Sequence, residues 1–132
     1  MGLNLGNREL QLNQKSMIVT ETDIKGNIIF ASKDFCQFAG YTNEELVGKP
    51  HSIVRHNFMP KVAFQELWNT VKKGAIWSGI VVNTTKTGGY YWVKATVYPS
   101  KLSNGEMKYI SVRVMPSQAE IQNAIKLYPT LK

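Results

Sequence analysis

The sequence predicts an α+β domain in which short helices cover one face of a five-stranded antiparallel sheet. Three observations predict this fold. Two β-branched runs flank a Gly-Asn turn near the start, helix-start signals fill the middle, and three alternating runs follow in the second half. Strands that follow one another with short connections form antiparallel sheets, so the central helices are expected on one face.

The first strands and the first helix come from residues 17–39. Residues 17–22 and 28–31 are the two β-branched runs, and the Gly-Asn turn between them is typical of a hairpin. Ser32 is a good N-cap for a short helix over residues 33–39. Gly40 ends that helix, because glycine readily adopts the left-handed conformation of a helix C-terminus.

Two more helices are predicted before the second half. Thr42 and Glu45 form a capping box that opens a helix of about one turn. Pro60 is placed at the first position of the longest helix, which Gly74 ends. The apolar residues of this helix recur at helical spacing: Ala63, Phe64, Leu67, Trp68 and Val71.

The second half is predicted to be sheet with a final helix. Residues 76–85 and 90–98 form a long hairpin, with Pro99 as the end of its second strand. Residues 107–115 form the last strand. A second capping box at Ser117 opens a C-terminal helix.

Three segments follow from these elements. Residues 1–16 are predicted to be an N-terminal helical cap or dimerisation segment, residues 17–116 the domain itself, and residues 117–132 a C-terminal helix or linker. The helical expectation for the first segment depends on a weak stripe of leucines at positions 3, 5, 10 and 12. Because Trp92 and Ile80 face away from the predicted helices, we expect this segment and the outer sheet face to form a homodimer contact.

Composition limits the class of protein. The apolar fraction of 43% and the aromatic fraction of 11% are typical of a globular domain. No apolar run approaches the roughly 20 residues of a membrane span, and the start lacks a signal-peptide pattern. The lone Cys36 agrees with a reducing compartment, so a cytoplasmic location is expected.

The net charge of +7 is not taken as a nucleic-acid signal. Lysines are dispersed along the chain, with Lys72 and Lys73 as the only adjacent pair, and no DNA- or RNA-binding motif accompanies them. An excess of this kind is typical of a soluble protein or of one with an anionic ligand or partner.

The segment 49–60 contains both histidines, His51 and His56, together with Lys49 and Arg55. Two prolines bracket its core and favour short turns over a continuous helix. Cationic and imidazole groups in irregular backbone beside aromatic strands form either a ligand wall or a basic surface turn. The segment alone leaves both interpretations open.

The predicted hairpin supplies a second group of candidates. Strand alternation places Trp77, Gly79 and Asn83 on one face, and Tyr91 on the matching face of the next strand. Gly79 marks either a bulge or a close approach to the backbone. An inward amide at Asn83 needs a hydrogen-bond partner, which a heteroaromatic ligand with amide-like edges would supply.

Enzyme and metal sites are not predicted. The sequence contains neither a glycine-rich phosphate loop nor a G-x-S-x-G nucleophile turn. No metal-ligand spacing joins Cys36, His51 and His56. A single cysteine on a short apolar helix is typical of a buried, unreactive thiol.

Several of these segments carry a family resemblance. Residues 38–48, F-A-G-Y-T-x-x-E-L-x-G, resemble the helical motif of PAS domains. Residues 50–64 (P-H-x-x-V-R-H-x-x-M-P-K-x-A-F), 68–83 (W-x-x-x-K-K-G-x-x-W-S-G-I-V-x-N) and 91–95 (Y-W-V-x-A) are more specific. They resemble the flavin-binding PAS domain of Aer-type aerotaxis and energy-taxis receptors, over residues 17 to about 128.

The resemblance implies a non-covalently bound FAD, a redox-dependent signal and a chemotaxis apparatus as partner, in the same chain or in another. It also implies a set of cofactor-binding residues: His51, Arg55, His56, Trp77, Asn83 and Tyr91, with Trp68 and Ser32 as further candidates. Arg55 and His56 would stabilise negative charge on the flavin. Asn83 would donate or accept a hydrogen bond at the ring, and Trp77 and Tyr91 would stack against it.

Two positions depart from the family pattern. Ser32 replaces a usual Asn, and Phe58 replaces a usual Asp, so two polar partners of the flavin are absent. The photochemical flavin class is disfavoured because residues 53–59 contain no cysteine. Two alternatives remain: a haem PAS domain with His51 or His56 as axial ligand, and a cofactor-free dimerisation or signal-relay module.

Overall fold

A five-stranded antiparallel sheet with strand order β2-β1-β5-β4-β3 forms the centre of the structure, a computed structural model that describes residues 4–131. The predicted fold class is confirmed. The strands are β1 (Ile18–Thr22), β2 (Ile28–Ala31), β3 (Trp77–Thr84), β4 (Tyr90–Lys101) and β5 (Met107–Val114). The helices are α1 (Lys33–Ala39), α2 (Asn43–Leu46), α3 (Lys61–Lys72) and α4 (Gln118–Leu127), with 3₁₀ turns at His51–Val54 and Tyr128–Thr130.

Local hydrogen bonds set the helix ends where the sequence signals place them. The Ser32 hydroxyl accepts from the Phe35 amide at the start of α1, and Gly40 ends that helix with a φ of 82°. Both capping boxes, at Thr42 for α2 and at Ser117 for α4, are complete. These short-range bonds satisfy amides that the first helical turn leaves unpaired.

Two proline positions differ from expectation. Pro60 is the N-cap of α3, with extended backbone, and not its first helical residue. β4 does not end at Pro99 but continues to Lys101. Strand β3 pairs only with residues 90–97, so the last four residues of β4 extend beyond it. Past that point one side of β4 faces no strand, so an amide missing at Pro99 breaks no ladder bond there.

The two faces of the sheet are covered by different elements. Helices α1 to α3 and the loop before α3 lie on the inner face. On the outer face, α4 is held by the Tyr128 hydroxyl, which donates to the Ile80 carbonyl, and by an ion pair between Lys94 and Glu120 at 2.9 Å. The outer Trp92 is therefore 5% exposed within a single chain.

The N-terminal segment is not helical in residues 4–16, contrary to the expectation for it. Its backbone runs beside the start of β4, where the Leu10 amide donates to the Tyr90 carbonyl at 2.8 Å. The Asn7 amide donates likewise to Gly88 at 3.0 Å. These long-range hydrogen bonds favour an extended segment over the helix that the weak leucine pattern predicts. In this position Leu12 is only 5% exposed. Leu3 and Lys132 lie outside the described residues.

Among residues 4–131, no helix is long and apolar enough to cross a membrane.

Leu12→Ala tests whether the N-terminal segment belongs to the folded domain. A buried leucine truncated to alanine should lower the free energy of unfolding by about 2–4 kcal/mol. The neighbouring Gln11 is exposed, so Gln11→Ala should change it by less than about 0.5 kcal/mol. Urea unfolding of the three proteins measures both, and equal stability of all three would show that the segment does not pack on the domain.

Candidate functional site

A cavity of about 280 Å³ lies between the inner sheet face, helix α3 and the loop before it. Five of the sequence-predicted residues line this cavity: His51, Arg55, Trp68, Trp77 and Asn83. The alternation of β3 and β4 was therefore predicted correctly, since Trp77, Val81 and Asn83 face the cavity with Ala95 and Val97.

Three of the predicted residues do not line the cavity. Ser32 uses its hydroxyl as the α1 cap and accepts from the Val19 amide at 3.1 Å. His56 Nδ1 accepts from the Phe58 amide at 2.9 Å, so the proton is assigned to Nε2, which donates to the Leu5 carbonyl. His56 therefore ties the loop to the N-terminal segment.

Tyr91 is the third, and it is fully buried on β4. Its ring is 5.8 Å from that of Phe38, and its register partner is Asn83 on β3. Burial raises the pKa of Tyr91 to about 12. Within residues 4–131 the hydroxyl makes no hydrogen bond of good geometry, although the Asn83 side chain is near enough to oppose part of the rise in pKa.

Trp77 explains why Gly79 is a glycine. A Cβ added at Gly79 would stand 2.5 Å from Cη2 of the Trp77 indole. The bulky group that approaches this backbone is thus the indole itself, since only glycine leaves room for it. In the described part of the chain, the buried Trp77 Nε1–H also has no acceptor.

Arg55 lies at the mouth of the cavity, where its side chain is exposed. Its guanidinium carbon is 3.9 Å from the centroid of the Phe64 ring on α3, in cation–π geometry. Partial burial lowers the pKa of Arg55, which leaves an arginine charged at neutral pH. Its backbone forms an isolated bridge with Asn83, so the loop meets the edge strand β3 there.

Arg113 is the residue that sequence reasoning missed. It lies on β5, is 2% exposed, and lines the cavity. Its two terminal nitrogens reach the Thr20 hydroxyl and, at 3.2 Å, His51 Nε2. Burial lowers the pKa of Arg113 to about 10, so the group stays charged at pH 7. The available signal was a charge between two valines, Val112 and Val114.

His51 completes a three-residue cluster with Thr20 and Arg113. His51 Nε2 is 3.0 Å from the Thr20 hydroxyl, and its ring stacks on Phe35 at 5.6 Å. Burial, with the nearby Arg113 charge as a second cause, lowers the pKa of His51 to about 3. The imidazole is therefore neutral at physiological pH.

The cavity as a whole presents donors and positive charge. Four cationic side chains line it, and none of its described lining residues is acidic: Lys25, Arg55, Lys72 and Arg113 are the cations. Within residues 4–131, two of the lining side chains have a buried nitrogen without a partner, Trp77 at Nε1 and Arg113 at Nε. Because buried polar groups normally find partners, this arrangement suits a flat aromatic ligand rich in acceptors and negative charge.

Phe58, the departure from the family pattern, lies away from the cavity. Its ring is 6.1 Å from Trp92 and 6.3 Å from Tyr128, on the outer side of the sheet. The loop thus wraps around the β3 edge and joins the aromatic contacts beneath α4. Because Phe58 does not line the cavity, the departure from the family pattern at this position removes no polar group from the cavity wall.

Metal-binding groups do not gather at the cavity. In residues 4–131, no cluster of three or more His, Cys, Asp or Glu side chains could hold a metal ion. Cys36 is half-buried on α1, and burial raises the pKa of its thiol.

Comparison with known proteins decides the family. The family described as the PAS fold matches residues 28–113, which is more than half of the chain. The chain belongs to the PAS family. The resemblance to Aer-type receptors is confirmed as well: the PAS domain is 41% identical over 120 residues to the aerotaxis receptor of Escherichia coli (strain K12).

Two further relatives extend the comparison. The PAS domain is 29% identical over 98 residues, or 74% of this chain, to the nitrogen fixation regulatory protein of Klebsiella oxytoca. It superposes with a TM-score of 0.71 at 18% identity on the structure entitled "Flavin Analogue Sheds Light on Light-Oxygen-Voltage Domain Mechanism". That match covers 88% of this chain and 89% of the other, and it shows a shared fold.

The two curated relatives are longer proteins. The alignment with the aerotaxis receptor covers 91% of this chain and 24% of the receptor, and the second alignment covers 20% of the regulatory protein. The likeness therefore concerns only one part of each relative.

The depressed pKa of His51 predicts a pH dependence of stability in the ligand-free protein. In the unfolded chain His51 has its ordinary pKa of 6.5 and takes up a proton as the pH falls below that value. In the folded protein it stays unprotonated down to about pH 3. Stability is therefore complete above pH 6.5 and is lost as the pH falls. Between about pH 7.5 and pH 5.5 the loss should be about 1.4 kcal/mol for this one group.

His51→Gln should remove that part of the slope. Urea unfolding at the two pH values measures the difference between parent and variant. Ser52→Ala, at an exposed neighbour without a titratable side chain, should keep the parent's slope. A His51→Gln protein with the same pH dependence as the parent would contradict a His51 that stays neutral in the folded protein.

Proposed function

We propose that this PAS domain is a sensor that binds FAD non-covalently in the inner cavity and reports the redox state of the cofactor to a chemotaxis pathway. One observation carries the proposal: Trp77 and Arg113, two side chains that line an aromatic cavity with no acidic residue in its described lining, each keep a buried nitrogen without a partner. The relative named an aerotaxis receptor and the fold neighbour entitled after a flavin analogue support this choice of ligand and pathway.

The residues of the cavity fit a flavin ring. Trp77 and Trp68 offer flat apolar walls, and the Asn83 amide can both donate to and accept from a ring edge that alternates carbonyls and nitrogens. When bound, the flavin supplies reversible uptake of electrons, while the protein supplies position and charge. The buried donors would hold the carbonyl oxygens of the ring.

The size of the cavity also bears on which flavin is bound. At about 280 Å³ it is slightly below the roughly 300–1,000 Å³ of pockets for drug-sized ligands. It would therefore take the ring system, and the rest of the cofactor would extend through the mouth. Lys25, Arg55 and Lys72 line that opening, where phosphate groups would meet positive charge.

The loop between α2 and α3 gives a route for the signal. Its Arg55 borders the cavity, His56 bonds to the N-terminal segment at Leu5, and Phe58 contacts Trp92 and Tyr128. A change in the cavity that moves this loop would reach both terminal segments. We propose that they pass the signal on, in a cytoplasmic homodimer that is a sensor and not an enzyme.

The haem alternative is less well supported by the histidines. Both His56 nitrogens are engaged by backbone groups, and His51 Nε2 lies 3.2 Å from a terminal nitrogen of the Arg113 guanidinium. An iron ion at His51 would stand beside a buried positive charge. The cofactor-free alternative is also less well supported, because the cavity donors without partners would have no role in it.

Purified protein and a set of flavins test the proposed function directly. The absorption spectrum distinguishes flavin bands from a haem Soret band. Calorimetric titration of the cofactor-depleted chain with FAD, FMN and riboflavin then ranks the ligands, and FAD should bind most tightly because its tail is longest and carries two phosphates. A folded chain that binds none of the three, with or without a Soret band, would overturn the proposal.

Trp77→Phe tests the indole N–H while keeping an aromatic wall. Loss of one hydrogen bond worth about 0.7–1.4 kcal/mol should weaken FAD binding about 3- to 10-fold. Trp92→Phe is the matched control, since Trp92 is an equally buried indole on the outer face. Titration should show a change of less than about twofold for the control, and equal losses in both would remove Trp77 from the site.

A further inference from the structure

We propose that Arg113 is the residue that anchors the ligand inside the cavity, by holding the carbonyl-bearing edge of its ring. The inference rests on the proposed function and names the part of the ligand that the buried charge recognises. It also moves the principal electrostatic role from Arg55 at the mouth to a buried arginine on β5.

The hydrogen bonds of Arg113 leave one donor without a partner. Its terminal nitrogens contact Thr20 and His51, both of which are uncharged. The Nε–H is buried and has no acceptor among residues 4–131. No Asp or Glu in this described range forms an ion pair with Arg113. Arg113 is therefore a cation without a counter-ion whose side chain lines the cavity.

The sheet positions next to Arg113 carry small residues. Its register partner on β4 is Ala95, and the partner of Ala95 on β3 is Gly79. The Trp77 indole lies over Gly79, so between the guanidinium and this indole the sheet carries only a methyl group. A flat ring therefore has room to reach the Arg113 side chain.

The chemistry of the guanidinium group determines which ligand atoms would bind to Arg113. Arginine donates and never accepts, and its planar fork matches carbonyl or carboxylate oxygens. Because Arg113 is only 2% exposed, its charge is weakly screened and favours a ring edge that carries partial or full negative charge. The pyrimidine-like edge of a flavin, with two carbonyl oxygens and ring nitrogens, has this character.

Arg55 lacks the features that make Arg113 an anchor. Its side chain is exposed, and its guanidinium stacks on Phe64. Water screens a charge at the mouth more strongly than a buried one. Arg55 therefore suits the outer, phosphate-bearing part of the ligand and not the ring.

The buried charge should also make the ligand-free domain less stable. A desolvated cation without a counter-ion is costly, and an apolar side chain of similar length often raises stability at such a site. If the arginine is removed, Thr20 and His51 still contact one another at 3.0 Å. Arg113→Met should therefore raise the melting temperature of the ligand-free protein, by about 3–8 °C.

Two ligands and three variants test the assignment. The variants are Arg113→Met, Arg113→Lys and the matched control Arg55→Met. The ligands are FAD and lumiflavin, which has the flavin ring with a methyl group in place of the sugar-phosphate tail. Arg113→Met should weaken both ligands by about 10- to 100-fold, and Arg113→Lys should fall between it and the parent. Arg55→Met should weaken FAD and leave lumiflavin unchanged.

The outcomes separate the inference from the function on which it rests. If the folded parent binds neither flavin, the proposed function is wrong, whatever the variants do. If the parent binds both, and Arg113→Met weakens only FAD or neither ligand, Arg113 does not hold the ring and the inference fails alone. A lower melting temperature for both ligand-free Arg113 variants would identify Arg113 as a structural residue, which also overturns the inference.

Discussion

The loop from Gly48 to Pro60 crosses the whole inner face of the sheet and is hydrogen-bonded at both ends. At the β2 edge, the Gly48 amide donates to Ile28 at 2.7 Å and the His51 amide to Gly26 at 3.0 Å. At the β3 edge, its Arg55 forms a bridge with Asn83. The cavity depends on this double attachment, because the loop and α3 form its cover while the sheet forms its floor.

Because the cover is attached at both ends, it holds polar side chains where they can hydrogen-bond to one another beneath it. The 3₁₀ turn at the β2 end places His51 against Thr20 and Arg113, which satisfies three polar groups with one another. What remains unsatisfied points to a ligand, since natural proteins keep buried polar groups without partners mainly where function requires them. Most of the other buried residues, among them Ile18, Phe35 and Val93, are apolar, which makes the buried charge of Arg113 an exception in this core.

The same loop connects the two sides of the sheet. Past Arg55 it rounds the β3 edge, and Phe58 lies with Trp92 and Tyr128 on the outer side. The N-terminal segment and α4 are the elements that it meets there. A single loop therefore connects the cavity physically to both flanking segments, through packed aromatic rings and one histidine.

The sequence by itself determined the elements whose hydrogen bonds close within a few residues. Caps at Ser32, Thr42 and Ser117 and the left-handed Gly40 depend on neighbours three or four positions away, so their patterns predict them. Strand alternation likewise predicts which residues of β3 share a face. Alternation places Trp77 and Asn83 on the cavity face, whereas His51, Arg55 and Trp68 were assigned to the site by the family resemblance of the sequence motifs.

The tertiary structure alone decided what depends on pairing between distant segments. Arg113 comes beside His51 only because β5 pairs with β1 and β4 in one register, and 62 residues separate the two side chains. The N-terminal segment is extended because β4 offers it carbonyls. His56 and Phe58 leave the cavity because the loop rounds the β3 edge. No local pattern encodes such contacts, since their free energy comes from surfaces that meet only in the folded chain.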